Sequence, residues 1–220
     1  MPPKPKCTRE IIARTAFEIV KEEGLSSLSV REIGKRLGVS ASPIFTVFNG
    51  MDEVKQAARE LAIGEFKELV SDYDQYSPAF KKIGMTIVLY GVNEPEMFKL
   101  LFMQEHNEPF GFQNTINDLG DLYFTCIDLI MSDYKLNKND ATLLFEQMWT
   151  LAYGLGSMCA MKVCSFSEEE IGERLSIAFA SHIMLIKSGN LDKARIDVEK
   201  LNTPWEIKKQ LTNFRLKNKR

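Results

Sequence analysis

Two histidines, four cysteines and one short run of basic and hydroxyl side chains are the groups of this 220-residue chain best suited to chemistry. His106 stands in Glu105-His106-Asn107-Glu108, where carboxylates flank an imidazole as a metal site or an acid-base pair would require. No second histidine lies at ligand spacing, so a polar helix end is the expected role. His182 falls on the apolar side of a helix, where a hydrogen-bonded core or interface histidine is expected. Cys159 and Cys164, with Met158 and Met161 nearby, offer soft metal ligands or a redox pair. On one continuous helix their five-residue offset turns them to different faces, so ordinary packing is expected. Glycine-rich phosphate loops, Ser-His-Asp sets and paired-carboxylate spacings are absent from the sequence. The expectation is a non-enzyme with no cofactor and no metal.

The basic and hydroxyl run is more informative. Ser29 to Phe48 reads as two short helices with a tight turn between them. Val30, Ile33, Gly34 and Leu37 recur at helical spacing and form one buried stripe, leaving Arg31, Lys35 and Arg36 in solvent. Ser29 caps the first helix, Gly38 ends it in the left-handed conformation, Val39 plugs the turn, and Ser40 caps the second. Pro43 falls in the first turn of that second helix, where a missing N–H costs little, and Ser40 can bond the Ser42 amide. Ile44 and Phe48 pack inward. Two helices joined this way are the helix-turn-helix pattern, whose second helix enters the DNA major groove. Ser29, Arg31, Lys35, Ser40, Ala41, Ser42, Pro43, Phe45 and Thr46 are the candidate contacts, with Lys4 and Lys6 adding charge.

Charge agrees with this assignment. The formal total is only -2. Residues 1–50 hold eight Lys or Arg against five Glu, residues 192–220 hold nine basic against four acidic, and the stretch between holds 11 basic against 21 acidic. Nucleic acid therefore belongs at the ends rather than along the middle. The start lacks an apolar signal core, and no stretch approaches the roughly 18 apolar residues that suggest a membrane span. A soluble, cytoplasmic protein without membrane contact is expected, its cysteines free.

The elements that must position the candidate contacts follow in order. Thr8 caps a first helix to Glu23 with Ile12, Ala16, Ile19 and Val20 inward and Gly24 as its stop. Asn49 and Gly50 break the chain; Val54, Ala57, Ala58, Leu61, Ala62, Phe66, Leu69 and Val70 then mark a long connecting helix. Tyr76-Ser77-Pro78 ends it. Phe80, Ile83, Ile87 and Tyr90 mark another helix, Pro95 starts a densely apolar one, and Gly111 precedes a third centred on Ile116 to Ile130. Asn139 and Asp140 open a helix to Val163, and Ser167-x-x-Glu170 is a capping box for the helix to Gly189. The expected fold is all-α: a three-helix DNA-binding domain over 1–50, a larger helical regulatory and dimerisation domain over 51–191, and a basic tail over 192–220.

Residues 9–62 resemble the N-terminal DNA-binding region of the TetR family of transcriptional regulators. The resemblance rests on Ile12, Ala16, Gly24, Ser29-Val30-Arg31-Glu32-Ile33, Gly38-Val39-Ser40, Ile44-Phe45, Phe48 and Glu53. The family usually has Tyr at 45, His or Tyr at 47 and Lys at 51, groups the resemblance assigns to phosphate contacts. Here Phe45, Val47 and Met51 each lack that donor or charge. Residues 90–103 and Trp149 to Gly154 are similar to one group of TetR C-terminal domains, with Tyr153 where that group commonly has His.

The resemblance implies a homodimeric repressor of double-stranded DNA, released from a palindromic operator by a small effector. Met97, Phe98, Phe102, Met103, Tyr123, Trp149 and Tyr153 are the expected walls of its cavity, for an apolar ligand, neutral or cationic. It locates the dimer on the last two helices, where Ala152, Gly156 and Ala160 form a row of small residues and Leu175, Phe179 and His182 face the partner. Two rival readings stand beside it: a helical ligand-binding or scaffold dimer that has lost specific DNA binding through Phe45, Val47 and Met51, and an enzyme built on His106.

Overall fold

The computed structural model describes residues 7–104 and 119–191. Among them are nine α-helices and no strand: α1 (Arg9–Glu23), α2 (Val30–Leu37), α3 (Ala41–Phe45), α4 (Met51–Val70), α5 (Ala79–Asn93), α6 (Pro95–Phe102), α7 (Leu122–Tyr134), α8 (Lys138–Ala160) and α9 (Glu168–Lys187). The described residues up to Ile177 form one compact unit, and a second begins at Ala178. The N-terminal helices belong to the first unit because α1 packs along α4 and α6 as well as α2.

Helix ends follow their local chemistry. The Thr8 side chain accepts the Ile11 amide at 3.3 Å to start α1, and Ser29 accepts the Glu32 amide at 3.2 Å to start α2. At α9 the capping box closes both ways: Ser167 Oγ accepts the Glu170 amide at 3.2 Å, and Glu170 Oε2 accepts the Ser167 amide at 2.8 Å. Three expectations change. Asn137, not Asn139, caps α8, its side chain accepting the Asp140 amide at 3.0 Å, and α8 stops at Ala160 rather than Val163. Leu69, assigned to the buried stripe of α4, is 45% exposed. The helix expected over Ile116 to Ile130 is described from Leu122, and Ile116 lies outside the described residues.

Two cores hold the first unit. Ile12, Ile19, Val20, Ile33, Ile44, Val54 and Ala58 are fully buried around α1. Burying an aliphatic side chain contributes about 1.5–3 kcal/mol, so this cluster fixes the small helices α2 and α3 against α1 and α4. The second core lies where α5, α6 and α8 meet. Gly91 and Gly156 make that meeting close: a Cβ on Gly91 would stand 2.5 Å from the Gly156 carbonyl oxygen, and one on Gly156 2.6 Å from Phe98 Cε2.

Candidate nucleic-acid interface and effector core

The α2–α3 corner is set by its turn. Gly38 takes φ +67, the left-handed region that glycine adopts without strain, and the Val39 amide then bonds the Gly34 carbonyl at 2.9 Å. The turn folds back so tightly that a Cβ on Gly34 would meet the Val39 carbonyl oxygen at 2.7 Å. Ile44 and Phe48, 0% and 1% exposed, then anchor α3 from beneath. Arg9 of α1 lies over the Phe48 ring at 4.4 Å and bonds Glu53 of α4 at 2.6 Å. Glu53 in turn accepts the Asn49 amide at 2.8 Å and its side-chain N–H at 2.9 Å. The Asn49 amide, then Arg9, hold the Glu53 carboxyl below its ordinary range.

The candidate contacts occupy the outside of this corner. Arg31, Lys35, Ser40, Ala41, Ser42, Phe45 and Thr46 are exposed, and Pro43 is half-buried. Lys35 reaches Glu32 at 3.3 Å, an exposed pair that binding to phosphate could exchange. Thr46 donates its hydroxyl to the Pro43 carbonyl at 2.7 Å and keeps its lone pairs. Ser29 is occupied as the α2 cap. Ser40 departs from expectation: its backbone is extended as a cap should be, but its side chain bonds no helix amide. Arg36, expected in solvent, is held by Glu22, Glu23 and Glu32 and braces α2 against α1. Lys4 and Lys6 lie outside the described residues.

Four of the seven expected effector residues, Phe98, Phe102, Trp149 and Tyr153, form one ring cluster. Phe98 and Phe102 are 5.0 Å apart between ring centroids, Phe98 and Tyr153 6.2 Å, and Phe102 and Trp149 6.2 Å. Tyr153 donates its hydroxyl to the Phe102 carbonyl at 2.9 Å. Tyr123 joins through Phe145, which lies 5.2 Å from it and 5.9 Å from Trp149. Met97 is buried on the same short helix α6; Met103, just past its end, is half-buried. Sequence reasoning placed Phe66 and Tyr90 only in helix stripes, yet Phe66 stacks edge-on to Tyr90 at 5.2 Å and to Phe102 at 5.5 Å. Their helical spacing marks burial but not which rings meet. A groove of about 830 Å³ lies elsewhere, lined by Lys81, Lys82, Met85, Leu89, Glu168 and Gly172 among others, and none of the seven lines it.

A polar cluster adjoins the aromatic one. Lys21 of α1 bonds Glu65 of α4 at 2.7 Å and lies 3.5 Å from Glu94, between α5 and α6. The Glu65 bond is the main cause of a raised Lys21 pKa. The Tyr90 hydroxyl and Glu65 Oε2 are buried without a hydrogen-bond partner among the described residues. Burial first, then the charges of Glu65 and Glu94, push the Tyr90 pKa far up. Arg59 of α4 also donates to the Leu101 carbonyl of α6 at 3.2 Å. One 20-residue helix, α4, therefore touches the α3 anchor through Glu53 and the aromatic core through Arg59, Glu65 and Phe66.

The row of small residues on α8 has a different use from the one expected. Ala152, Gly156 and Ala160 are 2%, buried and 0% exposed within a single chain, with Gly156 against Gly91 and Phe98. Their smallness admits α5 and α6, leaving no free face for a partner. Leu175 is likewise buried, whereas Phe179 and His182 are half-buried, and His182 Nδ1 lies 2.7 Å from the Ala178 carbonyl oxygen. Met158, Met161, Val163, Ile177 and Met184 are the exposed large apolar groups of these two helices and their link. His106 lies outside the described residues. Among those described, no group of three His, Cys, Asp or Glu side chains could hold a metal ion, and no helix is long and apolar enough to cross a membrane.

Residues 12–58 match the family model described as bacterial regulatory proteins, tetR family. A TetR-like transcriptional regulator from Rhodococcus sp. RHA1 shares the fold with TM-score 0.57 at 14% identity, over 84% of this chain and 99% of that one. The multidrug binding protein EbrR, complexed with imidazole, gives 0.54 at 15% identity over 80% and 96%. The fatty acid degradation regulator FadR from Bacillus halodurans gives 0.52 at 15% over 80% and 98%. No curated protein sequence matches. The likeness to the tetR family thus lies in residues 12–58, and the likeness to the solved regulators is one of fold.

Proposed function

We propose that the protein is a sequence-specific transcriptional repressor that binds double-stranded DNA as a homodimer and leaves it when a lipophilic effector enters the aromatic core. The observation that carries this reading is the anchored corner: a tight glycine turn presents α3 with Ser40, Ala41, Ser42, Phe45 and Thr46 outward while Ile44 and Phe48 hold it from inside. Arg31 and Lys35 supply phosphate-pairing charge, and the hydroxyls, Ala41 and Phe45 read base edges and thymine methyl groups. Dimerisation uses α8, through exposed groups such as Met158, and α9, through Phe179, His182 and Met184. The small-residue row is no longer part of it.

The effector is apolar with a hydrogen-bond donor, neutral or cationic. Packed aromatic faces favour a cation, and the partnerless Glu65 Oε2 and Tyr90 hydroxyl would accept from its N–H. A small anion would meet Glu65 and Glu94 unfavourably. The multidrug binding named for EbrR fits a ligand class of this kind. Because α4 links both regions, a ligand that spreads Phe66 from Phe102 also displaces Glu53 and the α3 anchor. Such a ligand must bind the released arrangement more tightly than the DNA-bound one. A gel-shift titration with DNA from upstream of the protein's own gene tests the first claim. A retarded band that competitor DNA of unrelated sequence does not remove is expected; no specific band would favour a scaffold that has lost DNA binding, to which Phe45, Val47 and Met51 would then be ascribed.

A further inference from the structure

Cys159 and Cys164 stand in different surroundings from those their spacing implied. A continuous helix would carry them to different faces, but α8 ends at Ala160. The chain then closes on itself: Lys162 takes φ +57, its amide bonds the Cys159 carbonyl at 2.9 Å, and the Val163 and Cys164 amides both reach the Met158 carbonyl, at 2.9 and 3.4 Å. This is the double-bonded helix end in which a left-handed residue turns the chain back over the last turn. It turns Cys164 back onto the last turn of α8, the turn that carries Cys159.

The link is held at its far end as well. Phe166 lies under the Arg174 guanidinium at 4.7 Å, and the Ser167–Glu170 capping box fixes the start of α9. Burial first, then the neighbouring Cys164, push the Cys159 thiol up, and the Phe166 backbone N–H opposes them. Cys159 is 9% exposed; Cys164 is half-buried and so the more accessible of the two. Of the other cysteines, Cys126 is fully buried with its thiol pushed up to about 12, and Cys7 lies beside the start of α1.

We propose that Cys159 and Cys164 form a reversible dithiol site, oxidised by hydroperoxides to an intramolecular disulfide that clamps the α8–α9 link. The Cys164 thiolate takes the terminal peroxide oxygen; the O–O bond breaks, sulfur loses two electrons, and the displaced alkoxide or hydroxide collects the thiol proton. The Cys159 sulfur then attacks the Cys164 sulfenic acid, forming the S–S bond and expelling water with the Cys159 proton. A dithiol reductant restores both thiols by exchange and is itself oxidised to its disulfide. Accessibility makes Cys164 the attacking group and burial makes Cys159 the resolving one.

Lys162 lies between the two thiols, so trypsin separates them unless a bridge joins their peptides. The full-length protein is exposed to hydrogen peroxide, its remaining thiols are alkylated, and the non-reduced digest is read by mass spectrometry. A Cys159–Cys164 linked peptide that disappears with dithiothreitol is expected. In Cys159→Ser, Cys164 should instead halt as sulfenic acid, trapped by a dimedone probe; in Cys164→Ser, Cys159 should stay reduced at the same dose. Circular dichroism of both variants checks that they fold. Cys159 alkylated as a free thiol while Cys164 accumulates as sulfinic acid would overturn the proposal, as would bridges only to Cys7 or between chains.

Discussion

Arg31 and Lys35 face solvent beside α3, and Arg36, one residue away from Lys35, is held by three carboxylates. Charge on α2 is therefore divided between a brace and an exposed surface. Removing Arg31 should weaken operator binding and reduce the slope of log affinity against log salt by about 0.9, the share of one phosphate contact, as read by fluorescence anisotropy across a salt series. Arg36→Ala should instead lower folding stability with little change in that slope. Glu53 gives a pH signature. Its pKa is depressed in the folded chain by the Asn49 amide and by Arg9, so the unfolded chain takes up the proton first as pH falls. The stabilisation is complete above the ordinary carboxylate pKa, about 4.3, and is lost as pH falls through the depressed folded value. Urea midpoints at neutral and acid pH should therefore differ less in Glu53→Gln than in the unchanged protein.

At the scale of the element, α8 contradicts its simplest sequence reading and makes a sharp prediction. Gly156 is confined by Gly91 and the Phe98 ring, so Gly156→Leu must push α5 and α6 aside. A loss of at least about 1–3 kcal/mol is expected, seen as a lower urea midpoint at every protein concentration. Loss of a dimer contact alone would instead show a midpoint that depends on concentration. The reason the sequence misled here is physical. A row of small residues states that a backbone comes near but not whose, and α5 and α6 use that space before any second chain can. The caps of α1, α2 and α9 were legible because each needs only a side chain and an amide three residues away. Ser40 shows the limit: its backbone is in place, yet no hydrogen bond follows. The aromatic residues were legible as buried, while the meeting of Phe66 with Tyr90 and Phe102 depends on how three successive helices fold back on one another. The approach of Cys164 to Cys159 depended on where α8 stops, a boundary misplaced by three residues.

For the molecule as a whole, α4 joins two ends: the corner proposed to read DNA and the aromatic core proposed to receive a ligand. Twenty residues of helix span about 30 Å, enough to separate Glu53 from Phe66 by several turns while keeping them on one rigid body. An operator with two-fold symmetry and half-site centres about 34–36 Å apart, or a multiple of that, is expected for the dimer. Footprinting on the selected upstream fragment checks it; a single protected half-site would oppose a dimeric reader.

The coupling itself is tested most directly by following ligand and DNA in one sample. Trp149 lies 6.2 Å from Phe102, and Trp205 is the other tryptophan, so Trp205→Phe leaves Trp149 as the reporter. Labelled operator is held at half-saturation while a lipophilic cation such as tetraphenylphosphonium, a donor-free probe of the aromatic faces, and then a lipophilic amine are titrated in. The account predicts that Trp149 emission changes over the same concentrations that release the DNA, that the amine is the more effective of the two, and that Phe102→Ala shifts both curves together to higher concentration. Release by small organic anions alone, or a Trp149 response that leaves operator affinity unchanged, would contradict it.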